Sequence, residues 1–172
     1  MHRFLSTLLA VVFAAALPLL AQDNPLSDEA RQSWNRTRGN LMAAAERMPA
    51  DKYSFKPAPE SQSFGTLVAH TASSAVRSCS GLIGDRRQVD LDGADSKESL
   101  VAALSSGLEV CDRAYGALTD ASATDMIAGR RGSRSLLGSL YGNTIHLEHE
   151  YAQMAVHFRL NGLVPPSSDR RR

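Results

Sequence analysis

Residues 140–158, LYGNTIHLEHEYAQMAVHF, are the stretch from which the fold of this chain can be read. At about 100° per residue, its large apolar side chains fall within about 40° of one direction on a helical wheel. These side chains are Leu140, Leu147, Tyr151, Met154 and Phe158. A stripe of this kind is typical of a helix packed against a core. The pattern predicts a long helix from about Ser135 to Asn161, ended by Gly162.

Polar residues of the same stretch follow one edge of the apolar stripe. Glu150 lies about 60° and His146 about 100° from the core direction, on the same side. They are separated by i, i+4, so both could bind one ion from a single helix face. His149 falls almost opposite the core and is predicted to face solvent. Asn143, Gln153 and His157 complete the edge.

Three earlier segments carry similar apolar stripes. The first has Ser27 as its candidate N-cap, ends at Pro49 and carries Leu26, Ala30, Trp34, Thr37, Leu41, Ala45 and Met48. The second runs from Ser63 to Gly84 with Phe64, Leu67, Thr71, Ala75, Cys79 and Leu82 on one face. The third is capped by Ser96 and carries Leu100, Leu104, Leu108, Cys111, Tyr115 and Leu118. No run alternates as a strand would. The pattern predicts an all-α fold, a four-helix bundle whose loops allow a crossover connection.

His70 lies on the flank of the second stripe, one helical turn after Leu67. Flank residues of different helices meet inside a bundle, so His70, His146 and Glu150 are candidate ligands of one metal ion. Two imidazoles and a carboxylate suit Zn²⁺, Ni²⁺ or Fe²⁺, and three protein ligands leave a coordination position open. The alternative is a solvated polar helix edge that binds no metal.

The first 21 residues predict export. An Arg precedes an apolar run from Leu5 to Ala21, and small and polar residues follow, as in a secretory signal peptide. An uncleaved N-terminal anchor is the alternative. Residues 22–172 are expected to form a single domain that is secreted or periplasmic and that leaves the membrane after signal cleavage. The net charge of +1 gives no electrostatic footprint for nucleic acid.

Cys79 and Cys111 each lie on the apolar stripe of a predicted helix. In an exported protein such a pair favours a disulfide, which would be worth about 3 kcal/mol for a loop of about 30 residues. Two buried and inert thiols are the alternative.

Four segments together resemble the DinB-like superfamily of helical-bundle, metal-dependent proteins. They are residues 48–57 (MPADKYSFKP), 63–70 (SFGTLVAH), 146–153 (HLEHEYAQ) and 158–167 (FRLNGLVPPS). The resemblance covers most of the predicted mature chain and implies the superfamily's four-helix fold. Exported members with a cysteine in the second and third helices look similar, which strengthens the disulfide prediction.

The resemblance also implies a ligand set. Members of the superfamily hold a divalent metal with one His of the second helix and two His of the fourth helix, spaced i, i+4. These positions match His70, His146 and Glu150. Similar sequences read His-x-x-Glu-His-Tyr here, whereas this chain reads His-x-x-His-Glu-Tyr, so the third ligand position holds an acid instead of a histidine. Glu150 could be the third ligand, His149 could replace it after a local shift, or the site could be degraded. The wheel geometry favours Glu150.

The function expected from these features is a metal-dependent hydrolase or transferase acting on an unknown small molecule. Similar proteins include thiol-dependent transferases and isomerases, but an exported protein has little access to cytosolic thiols. Gln153, Asn143 and His157 are candidates for supporting or proton-transfer roles. The alternative is a non-catalytic exported binding or structural domain. Bundles of this type often pair, so a homodimer is a further expectation.

Overall fold

The computed structural model of the chain describes residues 24–85, 87–129 and 132–169. The predicted signal peptide lies outside them. The described part contains four long helices, α1 (Pro25–Arg47), α2 (Phe64–Cys79), α3 (Lys97–Ala117) and α4 (Leu136–Leu160). Single 3₁₀ turns occupy Ala50–Lys52, Ser80–Ile83 and Pro166–Ser168. Among the described residues, no helix combines the length and the hydropathy needed to cross a membrane.

The four helices form the predicted bundle. α2 packs against α3 and α4, and α1 packs against the same two helices from the other side. Consecutive helices α1 and α2 therefore occupy opposite corners, as do α3 and α4. The loops between them cross the ends of the bundle, which is the expected crossover arrangement.

The predicted helix starts are confirmed in three helices and wrong in one. The second helix ends earlier than predicted, at Cys79, and a 3₁₀ turn at Ser80–Ile83 leads on to Gly84. Ser63, Ser96 and Ser135 each cap a helix, because each side chain accepts a hydrogen bond from a backbone N–H of the first turn. The predicted cap Ser27 is instead a buried residue inside α1, which begins at Pro25. Proline suits a first helical position because its φ is already helical and it has no N–H to satisfy.

The first turn of α1 is capped from a distance. The Asp120 carboxylate, in the loop after α3, accepts hydrogen bonds from the backbone N–H groups of Leu26 (3.2 Å) and Ser27 (2.8 Å). A local reading of the sequence has no access to a partner 93 residues away. These bonds to backbone donors hold the pKa of Asp120 below its usual value, against the opposing effect of its desolvation.

The expectation that the chain has no strand is also corrected. Met126–Ile127 (β1) and Arg134–Ser135 (β2) pair antiparallel, with Met126 opposite Ser135. Strands of two residues are too short to show the alternation that identifies strands in a sequence. This hairpin leads into α4 and lies beside its first turns.

The core includes the predicted stripes. Trp34 of α1 stacks on Tyr115 of α3 with ring centroids 4.8 Å apart, and its indole N–H donates to Asp112 at 2.8 Å. The Tyr115 hydroxyl donates to the Leu140 carbonyl at 2.6 Å, which ties α3 to α4. Burial raises the pKa of Tyr115. Leu26, counted in the first stripe, is instead about half exposed.

Cys79 and Cys111 form a disulfide that joins the end of α2 to α3. Both residues are fully buried, as their places on the apolar stripes predict. The disulfide prediction is confirmed.

Candidate metal centre

The structure brings three predicted ligand residues together between α2 and α4. One donor atom from each of His70, His146 and Glu150 lies within 4.8 Å of the other two. The Glu150 Oε1 atom is 3.7 Å from the Nε2 atom of His70 and 3.8 Å from that of His146. The two imidazole rings meet edge to face with centroids 5.7 Å apart.

Burial differs sharply among the three side chains. The Glu150 side chain is only 6% exposed, whereas those of His70 and His146 are 38% and 40% exposed. The carboxylate is therefore the buried part of the centre, and the imidazoles are its solvent-facing part. Solvent or a small molecule can approach from the side of the imidazoles.

The helix register explains why these residues converge. His70 follows the buried Leu67 by one turn, and Glu150 lies one turn after His146 beside the buried Leu147. The packing of α2 against α4 thus places both flanks along one seam. His149 is exposed, as the wheel predicts, and lies outside the cluster.

Neighbouring side chains orient the cluster. The Gln153 side-chain amide donates to the Oε2 atom of Glu150 at 3.2 Å, which leaves Oε1 facing the two imidazoles. The Ser74 hydroxyl lies 3.3 Å from the Nε2 atom of His70, and it accepts a hydrogen bond from Arg77 at 2.8 Å. Gln153 was among the predicted supporting residues.

Ser74 and Arg77 were missed by the sequence reasoning. Their spacing from His70, i+4 and i+7, is the signal that could have found them, because it places all three on one helix face. Such a spacing is common on any helix and carries little information without the structure.

Two other polar residues of α4, His157 and Glu148, have structural partners. His157 is buried, and its two ring nitrogens face the carbonyl oxygens of Gln153 (2.9 Å) and Gln62 (3.2 Å). His157 therefore connects the loop before α2 to α4. This is a structural role, whereas the sequence predicted a supporting role at the metal centre. Glu148 accepts a 2.6 Å hydrogen bond from Thr37 of α1.

Comparison with known proteins identifies the family. The family model of the DinB superfamily matches residues 33–154. The chain belongs to the DinB superfamily.

Two solved structures share the superfamily fold with this chain. A crystal structure of a DinB-like protein from Bacillus cereus ATCC 10987 has a TM-score of 0.63 at 18% identity, over 81% of this chain and 95% of that one. A conserved protein from Enterococcus faecalis has a TM-score of 0.64 at 13% identity, over 78% and 95%. Such low identities show the fold alone. No curated protein matches the chain.

Proposed function

We propose that this DinB superfamily protein is an exported metal-dependent enzyme, a hydrolase or transferase of a small molecule. His70, His146 and Glu150 would hold one divalent ion, with Zn²⁺, Ni²⁺ and Fe²⁺ as the candidates. The observation that carries the proposal is the buried Glu150 carboxylate, whose Oε1 atom faces both imidazoles at nearly equal distances.

The donor set fits a metal ion. The distances of 3.7 and 3.8 Å from Oε1 to the two Nε2 atoms are longer than hydrogen bonds. Two ligands bound at about 2.0–2.2 Å to a tetrahedral ion are separated by about 3.3–3.6 Å. The donor atoms of the cluster lie within 4.8 Å of one another, so an ion bound there would draw the most distant pair together by about 1.2 Å.

The charge around Glu150 also favours a cation. Within the described part of the chain, no Lys or Arg lies within ion-pair distance of its carboxylate, and the neighbours at that distance are the two imidazoles. A buried carboxylate is costly unless a partner compensates its charge. A divalent ion would compensate it, and neutral imidazoles would not.

The chain's own residues would perform the remaining tasks. Gln153 fixes the carboxylate. The Ser74 hydroxyl contacts the Nε2 atom of His70, so an ion bound at that nitrogen would replace this contact. A divalent ion held there would supply Lewis acidity toward a carbonyl or phosphoryl oxygen of the substrate. The half-exposed imidazoles leave one side of the centre open, which suits a site where a substrate must enter.

Metal binding by purified protein and matched variants tests the proposal. Zn²⁺ titration followed by calorimetry, with elemental analysis of the protein as purified, is expected to show one site. His70→Ala and His146→Ala should weaken binding by more than the roughly 10- to 100-fold loss typical of changes to supporting residues. His149→Ala is the matched control, an imidazole on the same helix outside the cluster, and should bind as the unaltered protein does.

Two results would contradict this assignment. Absence of bound metal, together with no thermal stabilisation by Zn²⁺, Ni²⁺ or Fe²⁺, would leave a non-catalytic domain. Loss of metal in His149→Ala but not in Glu150→Gln would move the third ligand to position 149.

We also propose that the protein works outside the cytoplasm. The Cys79–Cys111 disulfide supports this location, because such bonds persist in oxidising compartments and are rare in the cytosol. N-terminal sequencing of the exported product, expected to begin at Gln22, tests the location.

A further inference from the structure

A groove of about 960 Å³ begins at His146 and extends away from the cluster. Three parts of the fold line it: the end of α2 with its 3₁₀ turn, residues 127–129, 132 and 134 around the two short strands, and the first turns of α4. Its polar and charged lining residues are Arg77, Ser78, Arg134, Ser139, Asn143 and His146. The volume is within the range of small-molecule sites, about 300–1,000 Å³.

Among the described residues that line this groove, the charged side chains are those of Arg77 and Arg134, and no carboxylate is present. Arg77 donates to the Ser74 hydroxyl (2.8 Å), and Arg134 donates to the Gly138 carbonyl (2.7 Å), so each guanidinium contacts an uncharged oxygen. Within the described part of the chain, neither lies within ion-pair distance of an Asp or Glu. Each guanidinium has five N–H donors, so most are available to a ligand.

Both arginines lie close to the candidate ligands. The Arg134 guanidinium rests on Gly142, where a Cβ atom would come within 2.8 Å of its Nη1 atom. Gly142 precedes His146 by one helical turn, about 5–6 Å along α4. On α2, Arg77 reaches His70 through the shared Ser74 hydroxyl. The two cations therefore lie about one helical turn beyond the two imidazoles.

Asn143 adds a buried acceptor to the groove wall. The residue is 3% exposed, and its Oδ1 atom has no hydrogen-bond partner in the described part of the chain. Its Nδ2 group donates to the Tyr115 hydroxyl at 3.3 Å, which in turn donates to the Leu140 carbonyl. A carbonyl accepts only, so this chain of bonds fixes the amide orientation and leaves Oδ1 for an N–H or O–H donor.

We propose that the groove binds a small molecule through an oxyanion, a carboxylate or a phosphate, held by Arg77 and Arg134. The reactive end of the same molecule would reach the His70–His146–Glu150 cluster. The Oδ1 atom of Asn143, which is covered from solvent, would accept a hydrogen bond from a hydroxyl or amine of the molecule once the atoms that cover it move aside. Guanidinium forks match both oxyanions because they can form two parallel hydrogen bonds. The reaction of such a substrate rests on the proposed metal centre. Binding of the anion by the two arginines does not depend on it.

Binding of two simple probes tests the groove. We would measure binding of β-alanine (one carboxylate and one amine) and of phosphoethanolamine (one phosphate and one amine) by calorimetry or NMR, first without metal and then with Zn²⁺. Each of Arg77→Ala and Arg134→Ala is expected to weaken binding about tenfold or more, since hydrogen bonds to charged groups are among the stronger ones. The better probe identifies the oxyanion. Arg36→Ala, an exposed arginine of α1 outside the groove, is the matched control and should bind as the unaltered protein does.

The outcomes separate this proposal from the metal proposal. Equal probe binding by the unaltered protein and the Arg77→Ala/Arg134→Ala double variant, or an equal loss in Arg36→Ala, would overturn the groove assignment. Arginine-dependent probe binding in a protein that takes up no Zn²⁺, Ni²⁺ or Fe²⁺ would support the groove and refute the metal centre. Zn²⁺ binding should be unchanged in Arg134→Ala, and a circular dichroism spectrum equal to that of the unaltered protein shows that the double variant is folded.

Discussion

At the scale of single residues, Glu150 differs most from what the superfamily resemblance implies. A neutral imidazole can be buried without a neighbouring cation, whereas a buried carboxylate needs a partner that compensates its charge. Under the proposed function, this acid would lower the stability of the protein without a bound ion and raise it when an ion is bound. The exchange of His and Glu at positions 149 and 150 puts the charged group inside and an imidazole in solvent.

Glu150→Gln should separate these two effects. Without metal, in excess chelator, the variant is expected to be as stable as the unaltered protein or more stable by about 1 kcal/mol, because a neutral amide replaces a buried charge. With saturating Zn²⁺ the order should reverse, since only the unaltered protein gains binding energy. Thermal unfolding in the two buffers measures both. A marked loss of stability in chelator would mean that Glu150 has a structural role independent of metal.

At the scale of elements, the contact between α2 and α3 depends on a glycine that the apolar stripes do not show. A Cβ atom on Gly107 of α3 would lie 2.7 Å from the Ala72 carbonyl oxygen of α2. The absence of that Cβ lets the helix backbones approach, and Cys111 lies one turn later on the same helix. The close approach and the disulfide therefore belong to one contact between these helices.

Gly107→Ala is expected to lower the free energy of unfolding by about 1–3 kcal/mol, because the neighbour is backbone and cannot rotate away. Gly39→Ala on α1 is the matched control, a glycine inside a helix with no atom within 4 Å of the added Cβ. It should raise stability by about 0.5–1 kcal/mol through reduced chain entropy. Urea unfolding of both variants measures the difference. A stabilised Gly107→Ala would show that the helices separate easily.

The sequence predicts the elements of this bundle better than the connections between them. The stripes and serine caps of α2, α3 and α4 are local patterns, so they survive without tertiary information. The cap of α1 was missed because Asp120 supplies it from another loop. The helical wheel correctly placed Glu150 inside and His149 in solvent. Arg77 and Arg134 could not be predicted as neighbours of the cluster, because only the packing of α2 against α4 and the two short strands bring them near it.

At the scale of the whole molecule, one covalent link holds two of the four helices. The Cys79–Cys111 bond spans 32 residues, for which the chain-entropy model gives about 3–4 kcal/mol. Reduction with dithiothreitol, or replacement of both cysteines by Ala, should lower the free energy of unfolding by that amount in urea titrations. Mass spectrometry of the unreduced protein, expected to show no free thiol, is the control. Equal stability of the reduced and oxidised forms would contradict the prediction.

The placement of this bond gives the candidate metal centre a mechanical meaning. The disulfide joins α2 to α3, whereas the His70–His146–Glu150 cluster lies between α2 and α4. An ion bound there would be a second and reversible cross-link, joining α2 to α4. Chelation would weaken that seam and leave the covalently tied helix pair intact, so the contact between α2 and α4 would be the first to separate on unfolding.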